Sequence, residues 1–279
     1  MSTLRLAALT ALAMLAFAAN SLLCRFALKH TAIDAASFSS VRILSGAVLL
    51  WLLMHMRGIK SGKQGSWRSA ASLFIYVAAF SFAYLSLSAG TGALLLFGAV
   101  QVTMIIAGFM AGERMSRMQS VGFIAALAGL VILVLPGVHA PAPVGAALML
   151  LSGIAWGMYS LFGRGVADAT SATTGNFLRA VPMAITLSLL TLPWFRLDAN
   201  GVLYALLSGA LASGLGYVIW YRVLREMSAI SASTVQLSAP VIAAVSGFML
   251  LGEALSLNML IASVLILGGI GLVLRKKNP

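Results

Sequence analysis

The sequence predicts an all-α polytopic membrane protein, with ten transmembrane helices arranged as two inverted five-helix repeats. Three observations predict it: a composition that no soluble exterior could carry, ten apolar stretches of spanning length, and a pattern that recurs after about 140 residues.

Hydrophobic residues make up 61% of the 279 residues and charged residues 9%, against roughly 45–50% and about 25% in ordinary globular proteins. A soluble fold of this size would have to face water with apolar side chains, so a bilayer is the solvent that fits. The net charge is +12, but the basic residues sit in short runs between apolar segments and not on one polar domain. That distribution argues against a nucleic-acid partner and for membrane lipid. The single cysteine, Cys24, excludes an intrachain disulfide.

Each span needs about 20 mostly apolar residues. The N-terminal "MSTLRLAALTALAMLAFAANSLLC" has the charge and apolarity of a signal peptide, yet its apolar part is of spanning length and similar segments follow. It reads as the first span, 4–26. Turn residues and charges then delimit 35–56, 68–88, 91–111, 118–136, 143–163, 172–193, 201–221, 230–250 and 257–274. Links such as "SAGTG" (88–92) and "PGVHAPAP" (136–143) are short, so neighbouring spans are antiparallel. Helices alone suit these lengths, because lipid offers the backbone no hydrogen-bond partner.

Lysine and arginine orient the chain. With the N-terminus in the cytoplasm, thirteen of the eighteen fall inside: Arg5, Arg57, Lys60, Lys63, Arg68, Arg114, Arg117, Arg164, Arg222, Arg225, Arg275, Lys276 and Lys277. Arg25, Lys29 and Arg196 fall outside, while Arg42 and Arg179 lie within spans. The bias places both termini in the cytoplasm.

A shift of 140 aligns Gly112-Glu113 with Gly252-Glu253, Ser116 with Ser256, and Gly129 with Gly269. A shift of 139 sets "SLLCR" (21–25) on "SLFGR" (160–164), and 137 sets Arg42 on Arg179. Repeats of five spans, 1–136 and 137–279, must enter from opposite sides, which is a transporter signature.

With the "FSSVR" and "GNFLR" openings of the second spans, the two Gly-Glu ends and the run "SAPVIAAVSGFMLLGE" (238–253), the chain resembles the drug/metabolite transporter superfamily, and within it the EamA-type ten-helix permeases. The branch of aromatic amino acid exporters is the most similar. The resemblance implies alternating-access export of amino acids and related metabolites across the bacterial inner membrane, with other metabolites or drugs as the alternative. It also implies a Pro-containing ninth helix around Pro240, although Val100 stands where the first half would match it.

A substrate site belongs near the midplane, between the halves. The candidate substrate-binding residues are polar or aromatic and well inside spans: Phe17, Asn20, Tyr76, Gln101, Trp156, Tyr159, Tyr217 and Gln236. Flat apolar walls with a few polar handles suit a small solute. The mid-span Arg42 and Arg179 could clamp a carboxylate, but their duplication favours a gating or structural role, as does the position of Pro240. Trp67, Trp220 and Tyr221 sit beside charged ends and read as an interfacial belt; Tyr84 fits either place.

The six acids, Asp34, Glu113, Asp168, Asp198, Glu226 and Glu253, all fall at span ends. Ion-coupled carriers keep a carboxylate deep in the membrane, so weak or absent ion coupling is expected. No DDxxD, HxxxxD or HExxH pattern occurs, and the loops are short. No enzyme, metal or cofactor is therefore expected.

Overall fold

The computed structural model describes residues 1–58, 64–134, 141–253 and 257–274. Lys60, Lys63, His139, Ser256, the basic C-terminal run and the boundary at 136–137 lie outside them. Among the described residues there is no strand.

The helices are α1 (Thr3–His30), α2 (Ala35–Met56), α3 (Trp67–Ala83), α4 (Ala89–Met110), α5 (Arg117–Val134), α6 (Pro143–Gly163) and α7 (Ala169–Leu190). They are followed by α8 (Ala199–Leu224), α9 (Ala229–Leu251) and α10 (Leu257–Leu274). Their starts are written in short polar side chains that accept from the first free amides. Ser2, Asp34, Ser66, Ser88, Asp168, Asp198 and Ser228 cap α1, α2, α3, α4, α7, α8 and α9. Ser116 opens α5 with a capping box: Ser116 N–H donates to Gln119 Oε1 at 2.8 Å, and Gln119 N–H donates to Ser116 Oγ at 3.3 Å.

Among the described residues, six helices are long and apolar enough to cross a membrane: α1, α2, α4, α6, α8 and α9. The apolar segments Trp67–Ala83 and Leu257–Gly269 are shorter. Helix α7 falls short of that apolarity because its first half is polar, yet Thr170, Ser171, Thr173, Thr174 and Asn176 are all buried. Those groups face other helices, where Thr173 and Thr174 hydroxyls donate to carbonyls one turn back. Hydropathy undercounts such a helix.

Two helices are irregular for visible reasons. In α8 the stretch Leu207–Leu215 is π-helical. There Gly209 lies directly on the α2 backbone at Arg42, where a Cβ would collide with the Arg42 carbonyl oxygen. Helix α9 breaks at Leu237, between Ala229–Gln236 and Ser238–Leu251. Pro240 has no N–H for the Gln236 carbonyl, so the ladder opens one turn before it.

The core is built from α1, α2, α3, α4, α6, α7, α8 and α9, with Met259, Ala262 and Ile266 of α10 joining it. Helix α4 packs on α6 and α9, α3 on α6, α1 on α8 and α9, and α2 on α7 and α8. Helices α5 and α10 pack mainly on each other through glycines. Gly129 lies on Ala262 and Ile266, and Gly269 lies on Gly122 and Ala126. Each of these four partners becomes its counterpart when 140 is added or subtracted.

The Gly-Glu pairs have a mechanical meaning. Gly112 (φ +84°) and Gly252 (φ +61°) end α4 and α9 in the left-handed region, which glycine enters without the usual Cβ penalty. The reversal aims each following glutamate across to the start of the other helix. Glu253 Oε2 accepts from Ala89 N–H at 2.8 Å, and Glu113 accepts from Ala229 N–H at 3.1 Å and Ile230 N–H at 3.3 Å. Helices α4 and α9 therefore run antiparallel, each closing the other's N-terminus with a charge that the helix dipole favours.

Arg25 and Arg164, the ends of the two "SL..R" motifs, complete these stitches. Arg25 Nε lies 3.1 Å from Glu253 Oε1, and Arg164 Nη2 lies 3.6 Å from Glu113 Oε1.

Candidate functional site

Five of the eight candidate substrate residues meet in one aromatic cluster. Phe17 sits halfway along α1, with its ring centroid 5.2 Å from Trp156 and 6.1 Å from Tyr217. Trp156 is also 4.9 Å from Tyr76, 5.4 Å from Tyr159 and 4.6 Å from Tyr217. Most pairs are tilted or edge-to-face, the arrangements that ring quadrupoles favour. All five residues are buried, so none of them packs against lipid.

Polar groups enter the cluster by two routes. On one side Trp156 Nε1 donates to Gln236 Oε1 at 2.7 Å, and Gln236 Nε2 donates to the Ala232 carbonyl at 3.3 Å. Gln236 is the last residue before the break in α9, so the indole is tied to a helix that has already lost its regular ladder there. On the other side Arg42 is fully buried. Its Nη2 donates to Tyr76 Oη and Tyr217 Oη, both at 2.8 Å, and its Nε donates to Ser213 Oγ at 3.0 Å. Ser213 and Ser208 hydroxyls in turn donate to Asn20 Oδ1, at 3.1 and 2.7 Å. The guanidinium carbon stands 5.2 Å from the Tyr76 ring centre and 4.9 Å from that of Phe80.

The remaining candidates separate. Gln101 is buried one turn beyond Phe97, which stacks on Phe17 at 6.2 Å. Its Nε2 has no partner among the described residues. Pro240 lies past the break in α9, outside the rings.

Arg179 does a different job from Arg42, against the expectation of a matched pair. It donates to the Gln64 carbonyl at 3.1 Å and the Gly175 carbonyl at 2.9 Å, holding the segment before α3. The caps explain why. Asp34 and Asp168 open α2 and α7 at an offset of 134, so the counterpart of Arg42 in the helix register is Asn176. A shift of 137 misplaces the pair by almost one turn.

Two further expectations need correction. Trp220 and Tyr221 are fully buried and not interfacial. Trp220 Nε1 donates to Ser160 Oγ at 3.1 Å, Tyr221 Oη donates to the Tyr159 carbonyl at 3.0 Å, and the Trp220 ring is 5.5 Å from Phe17. Neighbouring arginines mark a helix end but not which face looks inward. Tyr84 is buried too, donating to the Ala89 carbonyl at 3.2 Å. Trp67, by contrast, is 60% exposed, as an interfacial residue should be. Ser208 and Ser213 escaped notice because an isolated serine in an apolar run carries no signal until its partner is placed.

The acids do structural work at helix ends: Asp34, Asp168 and Asp198 as caps, Glu113 and Glu253 as stitches, and Glu226 3.8 Å from the N-terminal amine. A separate groove of about 590 Å³ runs between α1 and α9, walled largely by aliphatic residues such as Leu6, Met14 and Ile242. It lacks the convergent polar groups of the aromatic cluster.

The profile of the EamA-like transporter family matches residues 143–275. The chain is 56% identical over 267 residues to a Pseudomonas aeruginosa protein named "Uncharacterized protein PA1977", covering 95% of this chain and 93% of that one. It is 27% identical over 198 residues to a "Probable amino-acid metabolite efflux pump" of Salmonella typhimurium, covering 65% of this chain and 66% of that one. A solved crystal structure shares the fold with a TM-score of 0.72 at 17% identity, over 96% of this chain and 97% of the other. An α-helical chain with membrane-spanning segments and these relatives is a multi-pass membrane protein, and it belongs to the EamA-like transporter family.

Proposed function

We propose that this protein exports amino acids, aromatic or neutral, and related metabolites across the bacterial inner membrane. Both termini lie in the cytoplasm, and two inverted five-helix halves, 1–136 and 137–279, rock about the aromatic cluster. The observation that carries the reading is the cluster itself: Phe17 and Tyr76 from one half and Trp156, Tyr159 and Tyr217 from the other meet in the buried interior. A flat side chain would replace ring-on-ring contacts between the halves with its own.

The contacts support the inverted arrangement. Packing of α3 on α6 has its counterpart in α1 on α8, and α4 on α6 in α1 on α9. The Glu113 and Glu253 stitches and the Gly129 and Gly269 contacts likewise exchange under a shift of 140. The broken α9 gives such a motion a hinge. With every acid at a helix end, solute moves down its own gradient.

The test is flux of labelled amino acids, nucleosides and cationic dyes in proteoliposomes. Saturable movement of aromatic or branched amino acids, lost in Trp156→Ala, is the expected result. Movement of dyes alone would reassign the chain to drug efflux, and accumulation driven by an imposed pH step would reject uncoupled transport.

A further inference from the structure

Arg42 is a cation in a place that penalises cations. It is fully buried at mid-helix in α2, and no ion pair to it exists among the described residues. An uncompensated buried charge costs several kcal/mol even after relaxation, and two tyrosine hydroxyls with two ring faces offset only part of that. An architectural cation would be expected to come with its acid. Among the described residues no acid compensates it.

The hydrogen bonds show what would complete the site. Nη2 spends both its protons on Tyr76 and Tyr217, and Nε is spent on Ser213. Among the described residues Nη1 has no partner, and neither does Asn20 Nδ2, which belongs to the same string through Ser213. Tyr76 Oη accepts from both Arg42 and Tyr217, at 2.8 and 3.0 Å, so its own proton is left to give. The open positions on this string are donors around one positive charge, set beside an apolar aromatic cluster.

We infer that Arg42 is the receptor for a carboxylate on the transported solute, and that the solute class is an organic monocarboxylate with a flat apolar body. The inference rests on the reading in which the solute passes through the cluster. It deepens that reading, because the site recognises the acid and not the amine. Nη1 would donate to one carboxylate oxygen, with Asn20 and the Tyr76 hydroxyl available to the other, a charge-assisted set worth more than neutral hydrogen bonds. Among the described residues the acids all lie at helix ends, away from this site, so an amino acid would leave its amine to the ring faces.

The test uses the full chain in detergent and reads the thermal unfolding midpoint with 3-phenylpropionate, phenylalanine or phenethylamine at equal concentration. The two carboxylates should raise the midpoint, with apparent affinity at least about tenfold above that of the amine. Arg42→Lys should retain a weakened response, and Arg42→Gln should abolish it. Tyr76→Phe, which keeps the cation and the ring, should weaken carboxylate binding a few fold and serves if Arg42→Gln does not fold. Equal protection by the amine, or by carboxylates in Arg42→Gln, overturns the inference. So does the absence of protection by all three, while the export reading is decided by proteoliposome flux alone. Protection by carboxylates without any flux upholds the Arg42 site and overturns export.

Discussion

The two ends of the α4–α9 pair carry the same stitch at different strengths. At one end Glu253 sits 3.1 Å from Arg25 and 2.8 Å from the Ala89 amide, and both side chains are less than one-fifth exposed. Arg25 also donates to the Tyr84 carbonyl at 2.8 Å, and Lys29 donates to the Leu251 carbonyl at 3.3 Å. At the other end Glu113 and Arg164 stand 3.6 Å apart, with 22% and 31% of their side chains exposed, and Arg164 reaches the Met227 carbonyl at 3.5 Å. Every corresponding distance to an amide or arginine is longer. The same device occurs twice, and burial makes the two unequal. In the proposed rocking motion, the Glu253 end would be the harder to open.

The largest effect should come from Glu253→Ala. It removes a helix cap, costing about 1 kcal/mol, and breaks a mostly buried ion pair, adding about 1–2 kcal/mol after discounting for its partial exposure. Glu113→Ala removes the corresponding cap and a pair about a quarter exposed to solvent, for about 1 kcal/mol in all. Thermal unfolding of the two variants side by side gives the order. A larger loss for Glu113→Ala would reverse the comparison.

Replacing the glycines separates backbone from charge. A Cβ at Gly112 or Gly252 would meet nothing within 4 Å, so Gly→Ala costs only the left-handed conformation. That is about 1 kcal/mol, and it should be the same at both ends. Unequal losses for Gly112→Ala and Gly252→Ala would mean that the asymmetry lies in the turns and not in the ion pairs.

Much of this was legible in the chain before any coordinates. Gly112-Glu113 and Gly252-Glu253 stand out because charge is scarce. The aromatic members of the cluster were found by depth along their spans, since a mid-span ring must face lipid or protein. What resisted was the angle around each helix. Trp220 and Tyr221 looked interfacial beside Arg222 and Arg225, because linear distance to a charge does not report which side of a helix is packed. The same blindness paired Arg42 with Arg179: a three-residue error in register leaves the sequence match intact and rotates the side chain elsewhere. The π-helical turn in α8, which brings Ser208 and Ser213 onto Asn20, has no signature beyond glycines that membrane helices use widely.

The smallest effect is also the most selective. Arg164→Gln deletes the looser ion pair and leaves the Glu113 cap in place, so its cost should not exceed about 0.5 kcal/mol. Because that pair is partly solvated, ions screen it over about 8–10 Å at moderate salt. Wild-type and Arg164→Gln midpoints should therefore converge as salt is raised. Arg25→Gln loses a buried pair together with the bond to the Tyr84 carbonyl, and its deficit should persist in high salt. If both arginine variants proved equally salt-sensitive, the Glu253 stitch would be as wet as the Glu113 one, and neither end would hold the halves more firmly than the other.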